Sequence, residues 1–284
     1  MSRNARRVKH MARDRFADFL AALPGPFYRL VFGRFRRYAL WWLFRAYGRE
    51  VTLAPAGPAG NRFYMRLHPM TDSAFVVGEY EPGCVRALRE HLPEGSVCVD
   101  VGANVGYFSI LMSQIVGKQG QTIAFEPMPE TVEVLRENIE VNHLENVIVV
   151  AAAASDESGS VEILSDATDR ATKTASMVGY RVEGPAQKTI VRCIRLDDYF
   201  DGSMRLPSLI KIDVEGAELM ALKGAREIIA RANPVLIIEI HGWGSPRSQE
   251  VLNLLRDFRY RAKVVEVRSR EAFCVATPLR NANA

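Results

Sequence analysis

Asp100, Glu126, Asp213 and Glu239 each stand at the end of a short apolar run, and His241 follows the last of them by two residues. One acid at the end of a strand is ordinary, as a turn former or a helix cap. Four at the same edge of one sheet could do chemistry, because ligands of open α/β sheets lie at the carboxyl ends of the strands. Glu126 closes the run Gln121–Phe125, where a carboxylate can accept hydrogen bonds from both hydroxyls of a ribose. Asp213, Glu239 and His241 offer carboxylates and an imidazole that could take the proton of a reacting hydroxyl. Asp213 is the preferred base and His241 the best imidazole candidate. A divalent ion held by Asp213 and Glu239 is another way to lower a hydroxyl pKa. No third ligand is evident for it, and no metal is expected.

These side chains need a loop and a sheet to position them. The segment Asp100-Val-Gly-Ala-Asn-Val-Gly106 lies between the apolar run Ser96–Val99 and the apolar helical pattern Tyr107–Met112, which reads as strand, glycine loop, helix. Gly102 permits the turn and lets a ligand approach bare backbone, and Gly106 lets the helix start close to the strand. The open amides at that helix start favour an anionic group such as a ligand carboxylate. Asp100 is expected to orient the loop or to meet a ligand amine through water. Asn104 is expected to satisfy loop amides or reach a ligand carboxylate. Ser155 and Asp156, after the third strand, are placed where an adenine amino group could be met. The loop is not the dinucleotide pattern G-x-G-x-x-G, since Asp100 occupies the first glycine position. No lysine follows to cradle a pyrophosphate, so it is not a P-loop.

The loop pattern D-x-G-x-x-x-G resembles the cofactor loop of the class I S-adenosylmethionine (SAM) methyltransferases. A later segment, Leu209-Ile-Lys-Ile-Asp-Val-Glu-Gly-Ala-Glu218, reads as a buried strand, an acidic turn and a helix. With Asp-Val-Gly-Ala-Asn-Val-Gly-Tyr at 100–107 and Phe-Glu-Pro at 125–127, the chain resembles the FkbM-type methyltransferases over roughly residues 75 to 245. The resemblance implies a Rossmann-like class I fold, SAM as cofactor, and a hydroxyl of a sugar, glycan or secondary metabolite as acceptor.

Strands alternate with helices from residue 97 to 257, and the strands are continuously apolar, so a mostly parallel α/β sheet with helices on both faces is expected. The strands are expected at 97–101, 121–125, 146–151, 208–213 and 234–240, with a single helix over 216–231. Two strands close in sequence, near 260–267 and 272–277, suggest an antiparallel edge. A short strand is expected at 161–164 and another at 188–195. Residues 165–187 are polar without an apolar period, which suits a substrate lid or a variable surface loop. Ala54–Asn61 reads as a turn or linker. The expected division is an N-terminal extension over 1–60 and the catalytic domain over 61–284.

Charge is uneven. Residues 1–50 hold 12 Lys/Arg and 3 Asp/Glu; the chain totals of 37 and 33 leave 25 against 30 for the rest. Tyr28, Phe32, Phe35, Ala39 and Trp42 fall on one helical face, with Arg29, Arg34, Arg36, Arg37 and Arg45 around it. The plain reading is a helix packed on the domain with solvated arginines. The sharper readings are docking on an anionic membrane or on a partner protein, with nucleic acid third. Cys84, Cys98, Cys193 and Cys274 are scattered, without C-x-x-C or zinc spacing, so free thiols are expected. No run reaches the roughly 20 apolar residues of a membrane span. Cytoplasmic residence is the default expectation, with the inner face of the membrane as the place of any docking.

Two rival functions compete with this one. A nucleic-acid base methyltransferase would use the basic arm, but its D/N-P-P-Y/F motif is replaced by Asp213-Val-Glu-Gly216. A non-catalytic scaffold docked by its arm would not need the intact loop or Glu126.

Overall fold

The structure is a computed structural model, and it describes residues 53–56, 63–66, 80–166, 175–176, 186–202 and 204–279. They fall into two compact units, residues 1–80 and 81–284. The first contains an antiparallel pair, β1 (Leu53–Ala56) with β2 (Phe63–Arg66). The expected linker therefore begins inside a strand, because Ala54 and Pro55 lie opposite Met65 and Tyr64. The basic arm and the boundary expected after residue 60 lie outside the described residues.

The second unit is built on a seven-stranded sheet. Its strands are β3 (Val97–Val101), β4 (Gln121–Phe125), β5 (Val147–Val150), β10 (Pro207–Ile212), β11 (Val235–His241), β12 (Tyr260–Arg268) and β13 (Glu271–Pro278). Their order across the sheet is β12-β13-β11-β10-β3-β4-β5. All neighbours from β5 to β11 are parallel, and β13 returns antiparallel to β11 and to β12. The chain starts near the middle at β3, moves outward to β5, then crosses back to lay β10 on the other side of β3. That reversal between β3 and β10 leaves a crevice at the carboxyl ends of the strands, where Rossmann-like folds bind ligands.

The central strands are buried on both faces because helices cover them, which is why β3, Val-Cys-Val-Asp-Val, is buried at all five positions. Val99, Val101, Ile123, Phe125, Ile210, Ile212, Ile238 and Ile240 form the middle of the core. The helix Tyr107–Val116 is apolar nearly all round and accordingly almost wholly buried. The helix Pro129–Val141 opens on proline at its first turn and buries only Val132, Leu135, Asn138 and Ile139.

Three features differ from the sequence reading. The helix expected over 216–231 is two, Glu218–Lys223 and Arg226–Ala232. The break falls at Gly224, whose carbonyl accepts the Asp197 N–H at 2.9 Å instead of continuing a helical ladder. A Cβ on Gly224 would also lie 1.8 Å from the Ser155 carbonyl oxygen. Second, the strand expected at 161–164 runs over Gly159–Asp166 (β7) and pairs along its length with Ala186–Ile194 (β9). With Ala153–Ala154 (β6) and Ala175–Ser176 (β8), these form a separate four-stranded sheet in the order β6-β9-β7-β8. Third, the expected loop 165–187 is β-structure at both ends, since Ser165 pairs with both Ala175 and Gln187. Its remaining residues lie outside the described set.

All four cysteines are buried and free. Among the described residues, no helix is long and apolar enough to cross a membrane.

Candidate functional site

The glycine loop is closed by backbone. Gly102 and Ala103 both donate to the Phe125 carbonyl, at 3.0 and 2.9 Å. Gly102 has φ +80, and a Cβ there would lie 1.8 Å from the carbonyl oxygen of Asp213. The neighbour that excludes a side chain is thus the end of β10, where the sequence suggested ligand space. Asn104, at φ 50, turns its own N–H onto Glu126 Oε2 at 2.9 Å. Met128 donates its N–H to the other oxygen, Oε1, at 3.0 Å. The glycine loop and the end of β4 are therefore locked together through one carboxylate.

Glu126 is 6% exposed, and burial pushes its carboxyl up to about 7 against the two amide bonds that favour the ionised form. Each oxygen spends one lone pair on an amide and keeps another. A pair of vicinal hydroxyls is the ligand that such a carboxylate fits. At the helix start beyond it, Gly106 caps Tyr107–Val116, whose first turn carries no acid, so its amides stay favourable to an anion. These residues fit the ribose and carboxylate ends of SAM.

Asp100 has no exposed surface. Ser109 Oγ donates to its Oδ2 at 2.6 Å, and Lys211 Nζ lies 3.2 Å from its Oδ1. The water-mediated contact to a ligand amine expected of Asp100 has no surface to act through; its contacts brace the sheet below the loop. Ser155 is also buried and bonds Asp156 at 3.2 Å, while Asp156 is half-exposed. Both lie beyond the β6 strand.

The second half of the site lies across the switch point. Ile212 pairs with Ile238, so Asp213 and Glu239 follow side by side on neighbouring parallel strands. Glu239 and His241 both belong to β11 and, being two apart, share a face. Asp213 Oδ2 lies 3.5 Å from Lys211 Nζ, and its Oδ1 lies 3.9 Å from His241 Nε2. Nε2 is also 3.4 Å from Glu215 Oε2. On the other edge of the ring, Nδ1 meets Glu218 Oε1 at 2.7 Å, and that same oxygen accepts the Gly216 N–H at 2.8 Å. The tight turn that delivers these acids has Glu215 at φ 49 and Gly216 at φ 95.

Charge explains the protonation states. Burial alone would lower the His241 pKa; the Glu218 hydrogen bond and the charges of Asp213, Glu218 and Glu215 outweigh it and hold it up at about 10. Burial raises Glu239, with Asp213 and Glu81 adding to the effect and His241 opposing it. Lys211 is fully buried, which would discharge it, but Asp100 and Asp213 hold it charged, above its ordinary range.

The sequence reading missed Lys211 and Glu218 as parts of this assembly. Lys211 carried a signal: a lone cation inside an apolar strand needs an anion, and the register sets it opposite Asp100. In the sequence Glu218 is only an acid at a helix start, where it complements the helix dipole. It does stand in a first helical turn, and it also holds the imidazole.

The sheet order, the loop and the acid at the end of β4 define a class I methyltransferase domain. A family model described as the methyltransferase FkbM domain matches residues 100–262, and the chain belongs to that family. It is a methyltransferase, and its cofactor is SAM. The hexuronic acid methyltransferase AglP of Haloferax volcanii is 28% identical over 201 residues, covering 69% of this chain and 76% of that protein. Methyltransferase sdnD of Sordaria araneosa is 30% identical over 167 residues, covering 48% and 63%. Among solved structures, the methyltransferase FkbM of Methylobacillus flagellatus aligns with TM-score 0.46 and 21% identity, over 65% of this chain and 44% of that one.

Proposed function

We propose that this methyltransferase acts on a hydroxyl oxygen of a sugar, glycan or related small molecule. The observation that carries the reading is the Asp213–Glu239–His241 group at the ends of β10 and β11, directly beside the loop that Gly102 closes on Asp213. The acceptor in the name of AglP, a hexuronic acid, supports a sugar-class acceptor here.

In this reading Glu126 holds the ribose, Gly102, Asn104 and Gly106 form the loop, and the amides before Tyr107 face the carboxylate end. Bound there, SAM supplies a methyl carbon whose bond to sulfur breaks, the electron pair staying on sulfur, as the acceptor oxygen bonds to that carbon. Most of the rate then comes from alignment, for which two rigid strand ends are suited. Asp213 takes the hydroxyl proton. It is the more accessible of the two strand-end acids, with 19% of its side chain exposed. His241 is held protonated at neutral pH, so it serves as a donor that orients the acceptor rather than as the base preferred second from the sequence. Asp156 and Ser155 remain candidates for the adenine end.

The test is turnover on a panel of hexuronic acids, neutral hexoses, nucleosides and RNA, read as S-adenosylhomocysteine formed, with the methylated atom located by mass spectrometry. Transfer to a hydroxyl of a sugar is expected. Transfer to a base nitrogen, or SAM binding with no acceptor anywhere in the panel or in cell extracts, would overturn the reading.

A further inference from the structure

We infer that Asp213, Glu239 and His241 form a divalent-cation site, for an ion of the Mn2+ or Mg2+ class, which grips the acceptor's reacting hydroxyl. The inference rests on the methyl-transfer reading above and deepens it. The sequence suggested two of the ligands and offered no third; the tertiary structure supplies His241.

Three observations carry it. The first is spacing. One ligand atom from each residue lies within 4.8 Å of the others, and His241 Nε2 is 3.9 Å from Asp213 Oδ1. Ligands about 2.0–2.2 Å from a common ion stand roughly 3–4.4 Å apart, so small side-chain rotations close the set. The second is Glu239. Its residue is 5% exposed, and its carboxylate has no hydrogen-bond or ion-pair partner among the described residues. A carboxyl in that condition either keeps its proton, the direction in which burial drives it, or is ionised by a cation at its oxygens. The third is the imidazole. Glu218 Oε1 accepts the Gly216 N–H, so it meets Nδ1 as an acceptor and fixes the hydrogen there. Nε2, on the other edge of the ring, faces Asp213 Oδ1 at 3.9 Å and Glu215 Oε2 at 3.4 Å, and an ion bound there would displace the proton that these acids hold on the ring. A carboxylate behind the ring and an ion before it is the usual setting of a metal-bound histidine.

Lys211 does not replace the ion. Its ammonium is shared between Asp100 and Asp213 Oδ2, and the Asp213 oxygen that faces His241 is the other one. Two carboxylates and one imidazole suit Mn2+ well, and Mg2+ less tightly. Three protein ligands leave about three positions of a six-coordinate ion open. Neighbouring oxygens of a sugar could occupy two of them. The ion would lower the pKa of the hydroxyl it holds, so that, with Asp213 engaged as a ligand, water takes the proton assigned above to Asp213.

The full chain, stripped with chelator, is titrated with MnCl2, and free Mn2+ is read by its electron paramagnetic resonance signal. We expect one ion bound per chain at submillimolar concentration. Glu239→Gln and His241→Asn should each weaken binding at least tenfold. Glu218→Gln, a positioning change, should weaken it about 10- to 100-fold. Circular dichroism melts verify folding, and Asp213→Asn, at a more exposed position, replaces any variant that does not fold. Wild-type protein that leaves Mn2+ free at millimolar concentration overturns the inference. So does unchanged binding in the folded variants. SAM binding is measured on the same chelator-treated samples. Methyl transfer that persists there at full rate sinks the ion and leaves the transferase reading standing, whereas loss of SAM binding in wild type sinks that reading instead.

Discussion

The two halves of the crevice are both rich in buried acid, and they neutralise it by different means. On the β3–β4 side every carboxylate has protein donors: Asp100 has Ser109 and Lys211, and Glu126 has the Asn104 and Met128 amides. On the β10–β11 side the acids gather round one imidazole, and Glu239 has no donor among the described residues. The first half is finished as a protein structure before any ligand arrives. The second keeps Glu239 without such a donor, which is where the ion proposed above would act. This suits a fixed cofactor cradle beside a reaction centre whose charges change during turnover.

Breaking the first half should therefore damage folding as well as binding. The largest effect is expected at Gly102. Valine there must displace the Asp213 carbonyl and adopt a left-handed backbone, so SAM binding should vanish and thermal stability drop by several kcal/mol. A folded Gly102→Val of normal melting temperature that fails only in SAM binding would show that ligand, not backbone, fills the space.

Next is Lys211→Met, which leaves Asp100 buried beside a neutral side chain. Removing one partner of a buried pair costs about 3–5 kcal/mol, read by denaturant unfolding. A loss below 1 kcal/mol, on the order of an exposed pair, would mean that Ser109 alone satisfies Asp100.

Glu126→Ala should weaken SAM binding by about 1–3 kcal/mol, measured by calorimetry. A carboxylate that served only the ligand would leave the melting temperature unchanged. The structure predicts a lower one, because the Asn104 and Met128 amides lose their acceptor. A pH test sharpens the same point. The folded pKa of Glu126 is raised to about 7 from 4.5, so the unfolded chain loses this proton first. Its contribution to stability without ligand falls as pH rises from about 4.5 to about 7 and is level above. Ribose hydroxyls donate to the ionised form, so SAM affinity should rise through the same interval. Glu126→Gln should flatten both trends, and trends of equal slope in the variant would assign them to another group.

The smallest effect is expected at Ser155→Ala, where one 3.2 Å bond to Asp156 is lost. SAM affinity should change by about 1 kcal/mol or less. A tenfold larger loss in affinity would make Ser155 a direct cofactor ligand.

The sequence by itself determined the local elements and the glycine loop. Apolar runs of strand length, glycines at turns and an acid closing β4 obey rules that act within about ten residues, and the residues that carry them are contiguous. Hence the strands, the antiparallel edge and Glu126 were legible, and so was the acidic turn at Asp213. What only tertiary structure decided joins residues far apart. Lys211 finds Asp100 across 111 positions, and His241 finds Glu218 across 23. Strand order and register set both meetings, and single-sequence periodicity carries neither. The same holds for Gly102, whose conformational freedom the sequence announced but whose neighbour, the Asp213 carbonyl, belongs to a strand more than a hundred residues away. The helix break at Gly224 is of this kind too: the apolar pattern reads as one helix, and the distant Asp197 N–H that donates to the Gly224 carbonyl marks the division into two.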